Sequence, residues 1–176
     1  MTQTSTTQRI THLIGHEYWT GTSERTAPVF NPATGRRTGE VDLASKELVD
    51  EVVARAAQAA VGWAATSMTR RGRVLFAFRE LLNANRQRIA EIITSEHGKT
   101  VSDALGEVTR GLEVVEFACG IPHLLKGGHS ESVSTSVDSY SLLQPLGVVG
   151  VISPFNFPAM VPMWFVPIAI AAGNAV

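Results

Sequence analysis

Asn156 is the one side-chain amide between two apolar runs, inside a stretch from Leu146 to Val176 that carries no charged residue. The first run, Val148-Val149-Gly150-Val151-Ile152, is β-branched and reads as a fully buried strand. It stops at Ser153-Pro154, and a second run opens at Pro158, whose fixed φ suits the first turn of a helix. Junctions of strand, short turn and helix are where α/β proteins bring backbone N–H groups to anions and cofactors. A neutral amide there has two possible jobs. It can cap the helix, or it can donate to an oxygen that becomes negative during a reaction, without competing for a proton. Losing such a donor raises a barrier by about 2.7–4 kcal/mol. Spacing alone favours neither job.

Other residues offer weaker chemistry. Phe157, Met160 and Trp164 recur at i, i+3 and i+7, a stripe that is more often core than ligand site. Arg110 falls off the apolar seam of its helix, where most arginines are simply solvated. Cys119 lies on that seam and reads as a small apolar filler rather than a reactive thiol. As the only cysteine it excludes an internal disulfide and offers no metal cluster. His12 and His16 are four apart, but no helix is expected there, so they read as surface histidines.

The positioning elements follow from periodicity. His12–Thr20, Ala27–Asn31 and Gly39–Leu43 are strand-like runs separated by Gly15, Gly21 and an Asn31-Pro32…Thr34-Gly35 turn, which predicts a small β-meander. Ser45 caps a helix to about Ala65, with Leu48, Val52, Ala56, Ala60 and Trp63 on one face. Thr69 is the expected cap of a second helix with Val74, Leu75, Phe78, Leu81 and Leu82 inward. Asn83-Ala84-Asn85 should bend or break it. The pattern resumes with Ile89, Ile92 and Ile93 and ends at Gly98, with Lys99 following the negative helix end. Val101, Leu105, Val108, Leu112, Val115 and Cys119 make the seam of the next helix, which begins near Thr100 or Ser102; Gly120 and Pro122 end or kink it. After Gly127-Gly128, residues 132–143 suggest a hairpin turning at Asp138-Ser139. Pro162 and Pro167 should kink the last helix.

Pro154 to Pro158 (Pro-Phe-Asn-Phe-Pro), Leu-Gly-Val before it, Gly173-Asn174 after it, and Arg110 to Glu116 (Arg-Gly-Leu-Glu-Val-Val-Glu) resemble the aldehyde dehydrogenase superfamily, most of all its CoA-acylating methylmalonate-semialdehyde dehydrogenases. The resemblance runs from about Tyr18 to Val176. It implies an α/β fold, the N-terminal part of the aldehyde dehydrogenase architecture: β-meander, helices, oligomerisation strands, then the first strand and helix of a Rossmann-like NAD domain. The implied division is a disordered lead-in at 1–10, the N-terminal part of the NAD-binding domain at 11–128, oligomerisation strands at 129–145, and a truncated sheet start at 146–176. It makes Asn156 the oxyanion-hole amide and puts Ser153, Pro154, Phe155 and Asn156 against the nicotinamide side of NAD. It lines an aldehyde tunnel with Phe157, Met160 and Trp164, and lets Arg110 grip a substrate carboxylate. The implied partners are NAD, CoA as co-substrate and a small-molecule aldehyde, in a homodimer or homotetramer. The implied nucleophilic cysteine, general-base glutamate and ribose-holding lysine match nothing here, so these residues alone are expected to be inactive.

Composition excludes some classes. With 44% apolar and 18% charged residues and a net charge of −1, nothing suggests nucleic acid or an anionic membrane as partner. The Thr-rich start has no apolar signal region, so the cytoplasm is the default expectation. The uncharged tail raises two further readings, a membrane-associated protein and a non-catalytic protein that pairs through its apolar end. Four prolines and Asn156 mid-run argue against the first.

Overall fold

A computed structural model describes residues 8–176. Its first part is β-structure: β1 (Gln8–Ile10), β2 (Leu13–Ile14), β3 (Glu17–Tyr18), β4 (Arg25–Phe30) and β5 (Arg37–Leu43). The expected meander is replaced by a sheet of order β1-β5-β4, with β4 antiparallel and β1 parallel to the central β5. The run at 12–20 splits at Gly15, which takes φ +68°, into the two-residue ladder β2–β3. Residues 8–10 of the expected lead-in pair with Gly39–Val41; residues 1–7 lie outside the described residues. A side-chain pair pins β1, because the Arg9 guanidinium meets the buried carboxylate of Asp42 at 2.7 Å. Hydrogen bonding from Arg9 holds that carboxyl below the usual range, against the opposing effect of burial.

Five helices follow: α1 (Lys46–Ala64), α2 (Met68–Ala84), α3 (Arg86–His97), α4 (Val101–Cys119) and the single turn α5 (Ile121–Leu124). Ser45 and Thr100 cap α1 and α4 through their hydroxyls, and Gly98 ends α3 at φ +88°. The cap of α2 is Ser67 rather than Thr69. Its inward face is also narrower than expected: Leu75 and Leu82 are buried, whereas Val74, Phe78 and Leu81 are exposed. The Asn83–Asn85 tract breaks the helix as its composition suggests.

The core forms around α4, which packs against α2, α3 and α6 (Met160–Ala171). Leu82, Ala90, Ile93, Ala104, Val108, Leu112, Val115 and Met163 make one cluster. Leu75, Ala118, Cys119, Ile121 and Ala171 make a second. Helices α4 and α6 approach closely at Gly111, where an added Cβ would lie 2.5 Å from the Met163 methyl. Between α5 and α6 the chain makes an exposed hairpin, β6 (His129–Ser134) and β7 (Val137–Tyr140). It turns at Thr135-Ser136, not Asp138-Ser139, with Ser136 at φ +60°.

The expected buried strand at 148–152 is the largest departure. It forms one parallel bridge, Val148 to Ala175, and Ile152 is 100% exposed. A parallel strand is buried only when neighbours pair both of its edges and helices cover both of its faces. The described residues supply one short edge contact. Helix α6 begins two residues after Pro158, at Met160. Pro162 falls in its first turn, where the missing N–H has no helical partner to lose. Pro167 lies inside the helix and leaves the Met163 carbonyl without its usual donor.

Candidate active-site turn

The turn from Ser153 to Ala159 is held from beneath by one buried ion pair. Gly98 reverses the chain after α3 and points Lys99 towards α4, where Glu107 sits beside the apolar seam at 0% exposure. Lys99 Nζ donates to Glu107 Oε2 at 2.6 Å and to the backbone oxygen of Asn156 at 2.8 Å. Glu107 Oε1 accepts from the backbone N–H groups of Ala159 (2.8 Å) and Met160 (3.2 Å). These are orphan donors at the N-terminus of α6, whose own N-cap residue, Ala159, supplies no side-chain bond. A carboxylate there also meets the positive end of the helix dipole. Burial pushes the Glu107 carboxyl up. The Lys99 and backbone hydrogen bonds outweigh it and leave the group below its ordinary value.

This arrangement decides one of the two roles open to Asn156. Glu107 caps α6, so the amide is not the cap. Asn156 is exposed, as are Ser153, Pro154 and Phe155. Phe157 is half-buried beneath Lys99, whose Nζ lies 4.6 Å from the ring centroid. Phe155 stands 5.8 Å, ring to ring, from His97. The main chain of residues 150–155 takes part in none of the backbone–backbone bonds among the described residues. An open groove of about 400 Å³ runs beside it between α1 and α6, bordered by Val148–Val151 and Ser153.

The other sequence-predicted residues are less concentrated. Phe157 lies in the turn before α6, so the expected stripe of Phe157, Met160 and Trp164 is not one helical face. Met160 is buried and Trp164 is exposed. Arg110 is exposed on α4 and turns back on its own helix, Nε donating to the Gly106 oxygen at 3.2 Å. Cys119 is buried. Burial, with Glu116 adding to it, pushes its thiol up, which does not suit a nucleophile.

Among the described residues four polar side chains are buried, Asp42, Arg71, Glu107 and Asn174, and the sequence reading gives none of them a role. Glu107 lies beside the predicted α4 seam, on the flank with Ala104, Gly111 and Ala118, where nothing in the sequence signals its burial. Asn174 enters only as part of a Gly-Asn motif. Its Oδ1 accepts from Leu146 N (2.7 Å) and Gly147 N (3.1 Å), and its Nδ2 donates to the Ala169 oxygen, tying the start of the open segment to the end of α6.

Residues 19–176 match the model of the aldehyde dehydrogenase family, so the chain belongs to that family. It is 46% identical over 163 residues to a malonate-semialdehyde dehydrogenase of Pseudomonas aeruginosa, covering 93% of this chain and 33% of that protein. A Sinorhizobium meliloti 1021 protein solved with NAD, described as a candidate methylmalonate-semialdehyde dehydrogenase, superposes with a TM-score of 0.93 at 47% identity, over 97% of this chain and 35% of that one. The methylmalonate-semialdehyde dehydrogenase of Oceanimonas doudoroffii gives 0.92 at 47% identity, over 95% and 34%. The chain thus spans about a third of the length of the relatives it matches.

Proposed function

We propose that this chain is the amino-terminal, cofactor-side part of an NAD-dependent, CoA-acylating dehydrogenase acting on malonate or methylmalonate semialdehyde, with release of CO2. The observation that carries the proposal is the exposed Asn156 amide, freed from capping by Glu107, on a turn whose backbone is clamped in place. When a thiol adds to an aldehyde carbon, the carbonyl oxygen gains negative charge. An amide N–H already aimed at that position stabilises the charge without reorganising. The thiol must come from outside these 176 residues, since Cys119 is buried in the helical core. The isolated chain is therefore expected not to produce NADH.

The unpaired main chain of residues 150–155 suits the carboxamide and ribose of a dinucleotide, which need donors and acceptors at close range. Ser153, Pro154, Phe155 and Asn156 would hold it. NAD bound there supplies the hydride acceptor. Phe157, Met160 and Trp164 are assigned to the aldehyde's approach, and Arg110, swung off Gly106, to its carboxylate. The β6–β7 hairpin, exposed at every residue, is the proposed contact between subunits of a homo-oligomer. Among the described residues no helix is long and apolar enough to cross a membrane.

Steady-state kinetics of the complete protein test this reading. Asn156→Ala should lower kcat about 10²–10³-fold. Arg110→Ala should erase any preference for the carboxylated aldehyde over propanal. Wild-type kcat in Asn156→Ala removes the oxyanion role.

A further inference from the structure

We infer that Lys99 and Glu107 are positioning residues for Asn156, so that a salt bridge in the helical core sets the aim of the proposed oxyanion donor. This rests on the reading of Asn156 given above.

The geometry separates this role from plain core pairing. Neutralising a buried carboxylate takes one cation, and Lys99 does that through a single contact to Glu107 Oε2. Its second donor goes instead to the carbonyl of Asn156, 57 positions along the chain. Glu107 in turn spends its other oxygen on the N–H groups of Ala159 and Met160. The turn is therefore gripped at both ends, at the carbonyl of 156 and at the amides of 159 and 160, by two side chains from one helix junction. The grip is also rigid. Glu107 is wholly buried, the Lys99 ammonium lies over the Phe157 ring, and Thr100 caps α4 immediately beyond it. An exposed amide gets its direction from its own backbone. Holding the 156 carbonyl restricts the Cα–Cβ vector that carries the amide, and displacements of about 1 Å in such a donor can cost 100-fold in rate.

The test is a double-mutant cycle in the complete protein. Lys99→Met alone would leave Glu107 buried and unpaired and could unfold the junction. The informative variant is Lys99→Met/Glu107→Gln, because the glutamine oxygen still accepts from Ala159 and Met160. We expect kcat to fall about 10–100-fold with KM for the aldehyde within about twofold. Lys99→Arg should recover part of the loss. Adding Asn156→Ala to the double variant should cost little beyond Asn156→Ala alone, because both changes act on one donor. Additive losses, or an unchanged kcat in the double variant while Asn156→Ala is impaired, would overturn the positioning role and leave the proposed function standing. A wild-type kcat in Asn156→Ala would remove both.

Discussion

Helix α4 carries five charged residues and the segment from Leu146 to Ile152 carries none, yet the helix is the centre of the core and the segment lies open. Ala104, Val108, Val115 and Ala118 are fully buried, whereas Leu146 is 92% exposed and Ile152 completely so. Side-chain hydrophobicity does not separate them. Backbone bonding does. A helix satisfies its own N–H and C=O groups, so it needs only a face to bury. A strand is buried only with neighbours on both edges, and among the described residues this one bridges only Ala175. The buried polar residues sit where the two regimes meet. Glu107 and Asn174 both bond backbone groups at the ends of α6, next to the segment that lacks partners of its own.

The largest effect that would test this contrast is expected at Lys99. Lys99→Met leaves a buried charge without its counter-ion and should cost about 3–5 kcal/mol in urea unfolding. Glu107→Gln in the same chain should recover much of that. The pH dependence carries the same signature. The Glu107 carboxyl sits below its ordinary value when folded, so its contribution is present above the unfolded pKa of about 4.3 and is lost as pH falls through the folded value. Asp42 is shifted the same way through Arg9. Glu107→Gln should therefore flatten the acid limb of stability only in part. An unchanged acid limb would mean that the pair contributes nothing to stability.

Leu75 is the next step down. It lies on α2 and is buried within the second cluster, and Leu75→Ala should cost about 2–3 kcal/mol. That is the low end for such truncations, because half-buried Leu125 and Ile168 border the site and can close in. A loss under about 1 kcal/mol in chemical denaturation would mean that this cluster is not a working core.

The same contrast explains what the sequence could and could not reveal. Ser45 and Gly98 were legible because a cap is made within four residues of itself, and the same locality narrowed the start of α4 to Thr100 or Ser102, of which the structure uses Thr100. The α4 seam was legible because its spacing is local. Thr69 is the expected cap of α2, but the helix starts earlier, at Met68, and the hydroxyl of Ser67 caps it. The β1–β5 pairing was not legible, since a three-residue polar strand announces nothing until Asp42 meets Arg9. Glu107 was hidden for a related reason: a carboxylate buried beside an apolar seam is unfavourable until Lys99 and the N-terminus of α6 arrive from elsewhere. The turn around Asn156 could be read as a turn, but its freedom from capping depended on that unseen glutamate.

The smallest expected effect is the sharpest test of the comparison. Ile152 belongs to a run that any hydropathy argument would bury, but it is fully exposed in this chain. Replacing it with serine removes no contact, opens no cavity and strands no polar group. Ile152→Ser should therefore change the stability of the 176-residue chain by no more than about 0.5 kcal/mol. In the complete protein the outcome depends on whether the run gains strand partners. If it does, the same substitution puts a hydroxyl into a buried sheet and removes an apolar side chain, and the loss should exceed about 2 kcal/mol. Chemical denaturation of both forms therefore measures how much of this segment's burial comes from other parts of the molecule. A cost above about 1 kcal/mol in the short chain would show that residues 148–152 already pack within it, contrary to the open edge described above.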